Sequence, residues 1–126
     1  MIRKQDLQVG DYVHLGIGAE RYPSPLAVAG VLGNIYLESI GGEDEDGVMC
    51  VEDEEVHPVI ITEEILEKNG WLYTNGVWYI KSKPRLGWYP MTGQLIIDFH
   101  TFYAPIKYVH QLQHMMRLLG IEEVSL

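Results

Sequence analysis

The chain has a single cysteine, Cys50, so no intramolecular disulfide can staple it. It has no apolar run near the roughly 18 residues that a membrane-crossing helix requires. The opening, MIRKQDLQVGDYV, lacks the apolar core of a secretory signal. These absences lead us to expect a cytoplasmic protein with no membrane partner. Cations are scarce too: nine Lys plus Arg stand against eighteen Asp plus Glu, a net charge of −9. Binding a phosphate backbone by broad electrostatics needs clustered Lys and Arg, so nucleic acid is disfavoured as a partner. Also missing are GxGxxG, a P-loop, GxSxG and HExxH, and nothing marks a general acid–base pair. Acids flank Cys50 in sequence, a setting that blunts a thiolate nucleophile. The balance points away from an enzyme, and no cofactor is expected.

What is present suits a globular fold. At 126 residues and 47% hydrophobic, residues 1–126 can form one domain with a real core. A division into subdomains 1–61 and 62–126 is compatible with the pattern of elements. Residues 1–61 read as short strands with tight turns. Gly10-Asp11 marks a turn, Gly16 to Pro25 a loop, and Gly33-Asn34 a two-residue hairpin turn between Leu26–Leu32 and Ile35–Ile40. Val48–Val51 and Val56–Ile61 follow, with Pro58 indicating an edge or a bend. With Tyr12, Val13 and Leu15 after the first turn making a fifth, these short strands predict a small bent sheet or partial barrel.

The second half reads as a short helix, an antiparallel meander and a longer helix. Thr62 is a good N-cap, Glu63 and Glu64 suit the first turn, and Asn69-Gly70 ends the helix. Asn75-Gly76 fits a type I′ turn that pairs Thr74 with Val77 and Tyr73 with Trp78. Trp71, Tyr73, Trp78 and Ile80 then share one face. Lys81 to Gly87 reads as a basic loop, and Leu95–Phe99 as a further strand. A meander of three or four strands is expected. Ten of the thirteen aromatics lie beyond residue 70, which puts the larger core there. Pro105 to Leu119 is the best-marked helix, with Pro105 at its first position and Gly120 just past its end. At about 100° per residue, Tyr108, Val109, Leu112, Met115, Met116 and Leu119 form an apolar arc. Lys107, His110, Gln111, Gln113, His114 and Arg117 form the polar one. Leu118 breaks the pattern, and Arg117 suits the negative end of the helix dipole. The fold class is α+β: an N-terminal bent sheet or partial barrel, a short helix, and an antiparallel meander packed by a C-terminal helix.

Four groups of residues raise chemical readings, each beside a simpler one. His110 and His114 are four apart on a helix, so both can reach one metal ion, with His100 or Asp98 as a third ligand. Two solvated histidines are the simpler account. Asp44 to Gly47 resembles part of an EF-hand loop, but the first ligand position then falls on Gly42 and the twelfth on Asp53. Residues 43–55 hold eight acids, which leaves ten acids against nine bases elsewhere, so the charge excess is local. Such a run can dock a basic partner by imitating nucleic-acid phosphates, although most like-charge blocks are simply solvated. Finally, Lys81, Lys83 and Arg85, with Trp78, Trp88 and Tyr89 nearby, suggest a small anion or single-strand site.

Three blocks, LQVGDYV, ITEEILEKNGW and IKYVHQLQHMMRLLGIE, together resemble a family of small uncharacterised proteins encoded by gut bacteria, their prophages and mobile elements. Their order and spacing match over most of the chain, and Lys107 to Gln113 is the most specific part. The resemblance carries no activity and no site residue. It implies an intracellular accessory protein of phage or mobile-element type. The expectation is therefore a non-enzymatic adaptor that binds another protein or a second copy of itself. Its contact residues would be Glu43, Asp44, Glu45 and Asp46 in the acidic loop and His110, His114 and Arg117 on the helix. The alternatives are a metal-binding protein or enzyme using His110 and His114, and an acidic decoy for a basic nucleic-acid-processing protein.

Overall fold

The computed structural model describes the chain except residues 18–19, 22–23, 41–46, 82–84, 99, 103–104 and 122–123, and gives only backbone for 17, 20–21 and 100–102. Glu43, Asp44, Glu45 and Asp46 therefore lie outside the described residues, and with them most of the stretch compared with an EF-hand. The architecture is α+β, with antiparallel ladders and a main C-terminal helix. Two compact units are present, Met1–Val59 and Ile60–Leu126.

In the first unit, β1 (Tyr12–Ile17) pairs with β3 (Leu26–Leu32), which pairs with β4 (Asn34–Ser39), which pairs with β5 (Met49–Val51). A short β2 (Glu20–Arg21), inside the range read as a loop, continues the ladder at the far end of β1. Val13 faces both Leu26 and Pro58, so β6 (Val56–Pro58) lies on the other side of β1. This places β5 and β6 at opposite ends of the path, with only residues 52–55 between them. Four strand spacings in a flat sheet span about 19 Å. Five fully extended Cα steps reach at most about 17 Å, and Asp53–Glu55 spends three of those residues in a 3₁₀ turn. The sheet must therefore curl, yet among the described residues no pairing joins β5 to β6 to close it into a barrel.

The curl wraps a core of Val13, Leu15, Leu26, Val28, Ile35, Leu37, Val51 and Val56, plugged by Ile2 and Leu7 from the N-terminal segment. β3 is apolar throughout and cannot set its own phase by alternation. A bulge sets it: Val28 pairs Leu37, but Gly30 pairs Tyr36. The extra residue turns Val31, opposite Ile35, toward the core. The turn before β4 is a single residue, Gly33 at φ 81°, with Leu32 directly facing Asn34. It is thus one residue tighter than the sequence suggests.

The second unit opens with α1 (Glu63–Lys68), whose N-cap Thr62 accepts a hydrogen bond from Ile65 N–H at 3.3 Å. Gly70, at φ 84°, ends it in a Schellman motif: Gly70 N–H donates to Glu67 O and Trp71 N–H to Leu66 O. The meander then runs β7 (Leu72–Thr74), β8 (Val77–Ile80), β9 (Leu86–Trp88), β10 (Leu95–Ile97) and β11 (His100–Phe102), each paired with the next. It has five strands rather than three or four, because β9 occupies the end of the range read as a basic loop and β11 follows the last strand expected. Asn75 and Gly76 have φ 52° and 82°, and the register pairs Thr74 with Val77 and Tyr73 with Trp78. Trp71 and Trp78 are buried, but Tyr73 is 56% exposed and leans on Trp78 with ring centroids 5.2 Å apart.

The C-terminal helix departs most from its predicted form. α2 spans Val109–Leu118 with Tyr108 as N-cap, four residues later than Pro105. Residues 105–108 are extended because their backbone groups are engaged elsewhere. Ile106 N–H donates to Gly93 O at 2.7 Å, Ile106 O accepts from the Trp88 indole at 2.8 Å, and Lys107 O accepts from Ile61 N–H at 3.2 Å. A Cβ on Gly93 would sit 2.9 Å from Ile106 O, so this crossing requires glycine. Gln111 then starts the helix, its side-chain oxygen accepting from the N–H groups of Lys107 and Tyr108.

Candidate functional site

The buried side of α2 carries Val109, Leu112 and Met116, but also His110 at 6% and Gln113 at 1% exposure. The expectation that His110 lies on an open polar face is thereby corrected. Packing from the rest of the fold can cover a polar side chain, and periodicity alone then sorts it to the wrong side. His110 stacks on Tyr108, with ring centroids 6.0 Å apart, and meets His114 edge-on at 5.9 Å. His114 and Arg117 are half-buried, while Leu118 is exposed. The two histidines are thus neighbours, but one is walled in. Among the described residues no three His, Cys, Asp or Glu side chains converge on a metal-sized point. The side chain of His100, proposed as a third ligand, lies outside the described residues. Asp98 is occupied, its carboxylate accepting from Arg85 N–H at 2.9 Å.

The basic segment gives a clearer geometry. Lys81 and Arg85 are exposed; Lys83 lies outside the described residues. Trp78 and Trp88 do not accompany the two cations. They face each other across β8 and β9 on the opposite, buried side of the sheet. Beside the cations instead is a row running across four strands: Leu72 faces Tyr79, Tyr79 faces Gly87, and Gly87 faces Ile96. Alternation puts Lys81 and Arg85, two residues from Tyr79 and Gly87, on that same side. Gly87 has no side chain, so the row sinks at its centre, and the Tyr79 ring lies 3.2 Å from where a Cβ would be. The result is an open hollow of about 470 Å³ with apolar walls and two cations at one end. Leu72 is 63% and Tyr79 44% exposed, so large apolar surface here faces water.

The hollow adjoins an unpaired edge. β7 ends the sheet order, and no strand among the described residues takes its outer side. Charge separates the units as well. Met1–Val59 has twelve acids and three bases, and Ile60–Leu126 six of each, so the whole excess of −9 sits in the first unit. The cation-rimmed hollow therefore belongs to a unit that is neutral.

Sequence reasoning found the cations but not the hollow. Read as a loop, Lys81–Gly87 hid the strand that brings Gly87 beside Tyr79. The available signal was a glycine within an apolar, aromatic stretch, LGWY, which in a strand marks a close approach or a missing wall. No helix among the described residues is long and apolar enough to cross a membrane. Comparison of the chain with protein-family models, curated proteins and solved structures finds no match.

Proposed function

We propose that the protein is a non-enzymatic adaptor of the phage or mobile-element type that binds an extended, acidic segment of another protein along β7. The observation that carries this reading is the conjunction of an open strand edge, a sunken apolar hollow and two cations on one side of one sheet. Each supplies a separate part of strand-addition recognition. The edge N–H and C=O groups give affinity, the hollow takes alternate apolar side chains, and Lys81 and Arg85 favour a carboxylate at one end. Screening confines the attraction to within about 8 Å of the two cations at physiological salt.

Selection from a displayed random-peptide library tests this. Enriched peptides should combine a large apolar residue with Asp or Glu, and their affinity should fall about tenfold or more with Arg85→Glu or Leu72→Asp, a loss of about 1.4 kcal/mol per decade. No enrichment, or peptides indifferent to both substitutions, overturns the reading. The concentration of negative charge in the first unit favours one second reading, an acidic decoy that docks a basic nucleic-acid-processing protein. Neutralising Glu43 to Asp46 would abolish that binding while leaving the peptide contact intact.

A further inference from the structure

Two histidines that are distant in sequence face each other in the first unit. His14 of β1 and His57 of β6 are direct cross-strand partners. Their chain neighbours Val13, Leu15 and Val56 point into the core, so alternation directs both imidazoles to the outer face of the curled sheet. Both residues are half-buried, which leaves each partly open to solvent. Directly opposed residues of an antiparallel pair have Cβ atoms about 4.5–5.5 Å apart. Imidazole nitrogens bind zinc at about 2.0–2.1 Å, a reach that two histidines so placed can share.

We propose that His14 and His57 chelate one divalent transition-metal ion on the outer face of the first sheet. Imidazole suits copper, nickel and zinc, and the general affinity order puts Cu²⁺ first. No third protein ligand joins the pair among the described residues. Water, or a donor from a docked molecule, completes the coordination. The backbone ladder holds the two Cα positions side by side, so only the imidazole rotamers remain to be ordered on binding. The surrounding unit carries the chain's full net negative charge, which raises the local concentration of cations. This site is separate from the β7 hollow, and neither proposal depends on the other.

Titration of the full chain with CuCl₂, NiCl₂ and ZnCl₂, followed by calorimetry, tests the site. A single equivalent should bind, tightest for copper, with the electron paramagnetic resonance of the Cu²⁺ form showing two nitrogen donors. His14→Gln and His57→Gln should each weaken binding on the order of a hundredfold, since the second imidazole then no longer acts as an intramolecular ligand. His114→Ala should leave it unchanged. Circular dichroism of each variant separates loss of the site from loss of the fold. Absence of binding, binding that survives both Gln variants, or binding that disappears with His114→Ala overturns the assignment.

Discussion

Asp11 shows how much one side chain can organise. It is fully buried, and its carboxylate accepts the N–H of Gln8 at 2.8 Å. Its own N–H returns to Gln8 O, and its carbonyl accepts from Val28 N–H at 2.8 Å. Gly10, at φ 92°, donates to Val28 O in the same clasp. The LQVGDYV block is thus a hinge pin between the N-terminal segment and β3. Asp11→Ala should lower stability by about 1–3 kcal/mol, because the part-buried clasp loses a hydrogen bond to a charged acceptor. Asp11→Asn keeps an acceptor oxygen and should lose clearly less in urea denaturation; equal losses would count against the hydrogen bond as the cause. Gly10-Asp11 is legible as a turn in the sequence because its chemistry is local. The burial of His110 and Gln113 is not, since how far a helix is rolled toward its neighbours is set by packing from the rest of the fold.

At the scale of elements, the ends of helices and hairpins were the most readable features. Thr62, Asn69-Gly70, Asn75-Gly76 and Gly120 all stand where their backbone preferences place them, and Gly120, at φ 70°, closes α2 as Gly70 closes α1. Pro105 misled for a physical reason. It is permitted at a helix start, but the hydrogen bonds of Ile106 and Lys107 to Gly93, Trp88 and Ile61 hold that stretch extended. Gln111 accordingly does the work expected of an N-terminal cap. Thr62→Ala should cost about 1 kcal/mol. Gln111→Ala should cost at least as much, because its oxygen serves two backbone donors. Chemical denaturation checks both, and a Gln111→Ala protein as stable as the parent would refute the capping role. His14 and His57 were not legible as a pair at all. Only the register of β1 on β6 brings them together, and no local pattern encodes it.

For the molecule as a whole, the unequal division of charge matters more than its total. A chain with a sequence pI near 4.8 should be least soluble around that pH and should dissolve freely above neutrality, which turbidity against pH will check. Twelve of the eighteen acids lie in the first unit, so substitutions there should move that minimum. Charge reversal at Lys81 or Arg85 moves it too, and bears on peptide capture as well. Fold class could be anticipated from hairpins and periodicity. The hollow is signalled only by the glycine of LGWY, because it is made by an absent side chain and a ring on a neighbouring strand.

The ladder between β1 and β6 also dictates an order of events during synthesis. Leu15 emerges early, yet its partner Val56 follows about 40 residues later. Until then one flank of the earliest strand presents bare amides and carbonyls, the kind of surface on which chains stick to one another. Folding of this unit is therefore gated by the last strand to leave the ribosome, and contacts of such long range make it slow. Polypeptides halted before Val56 should aggregate where those extending past Pro58 do not.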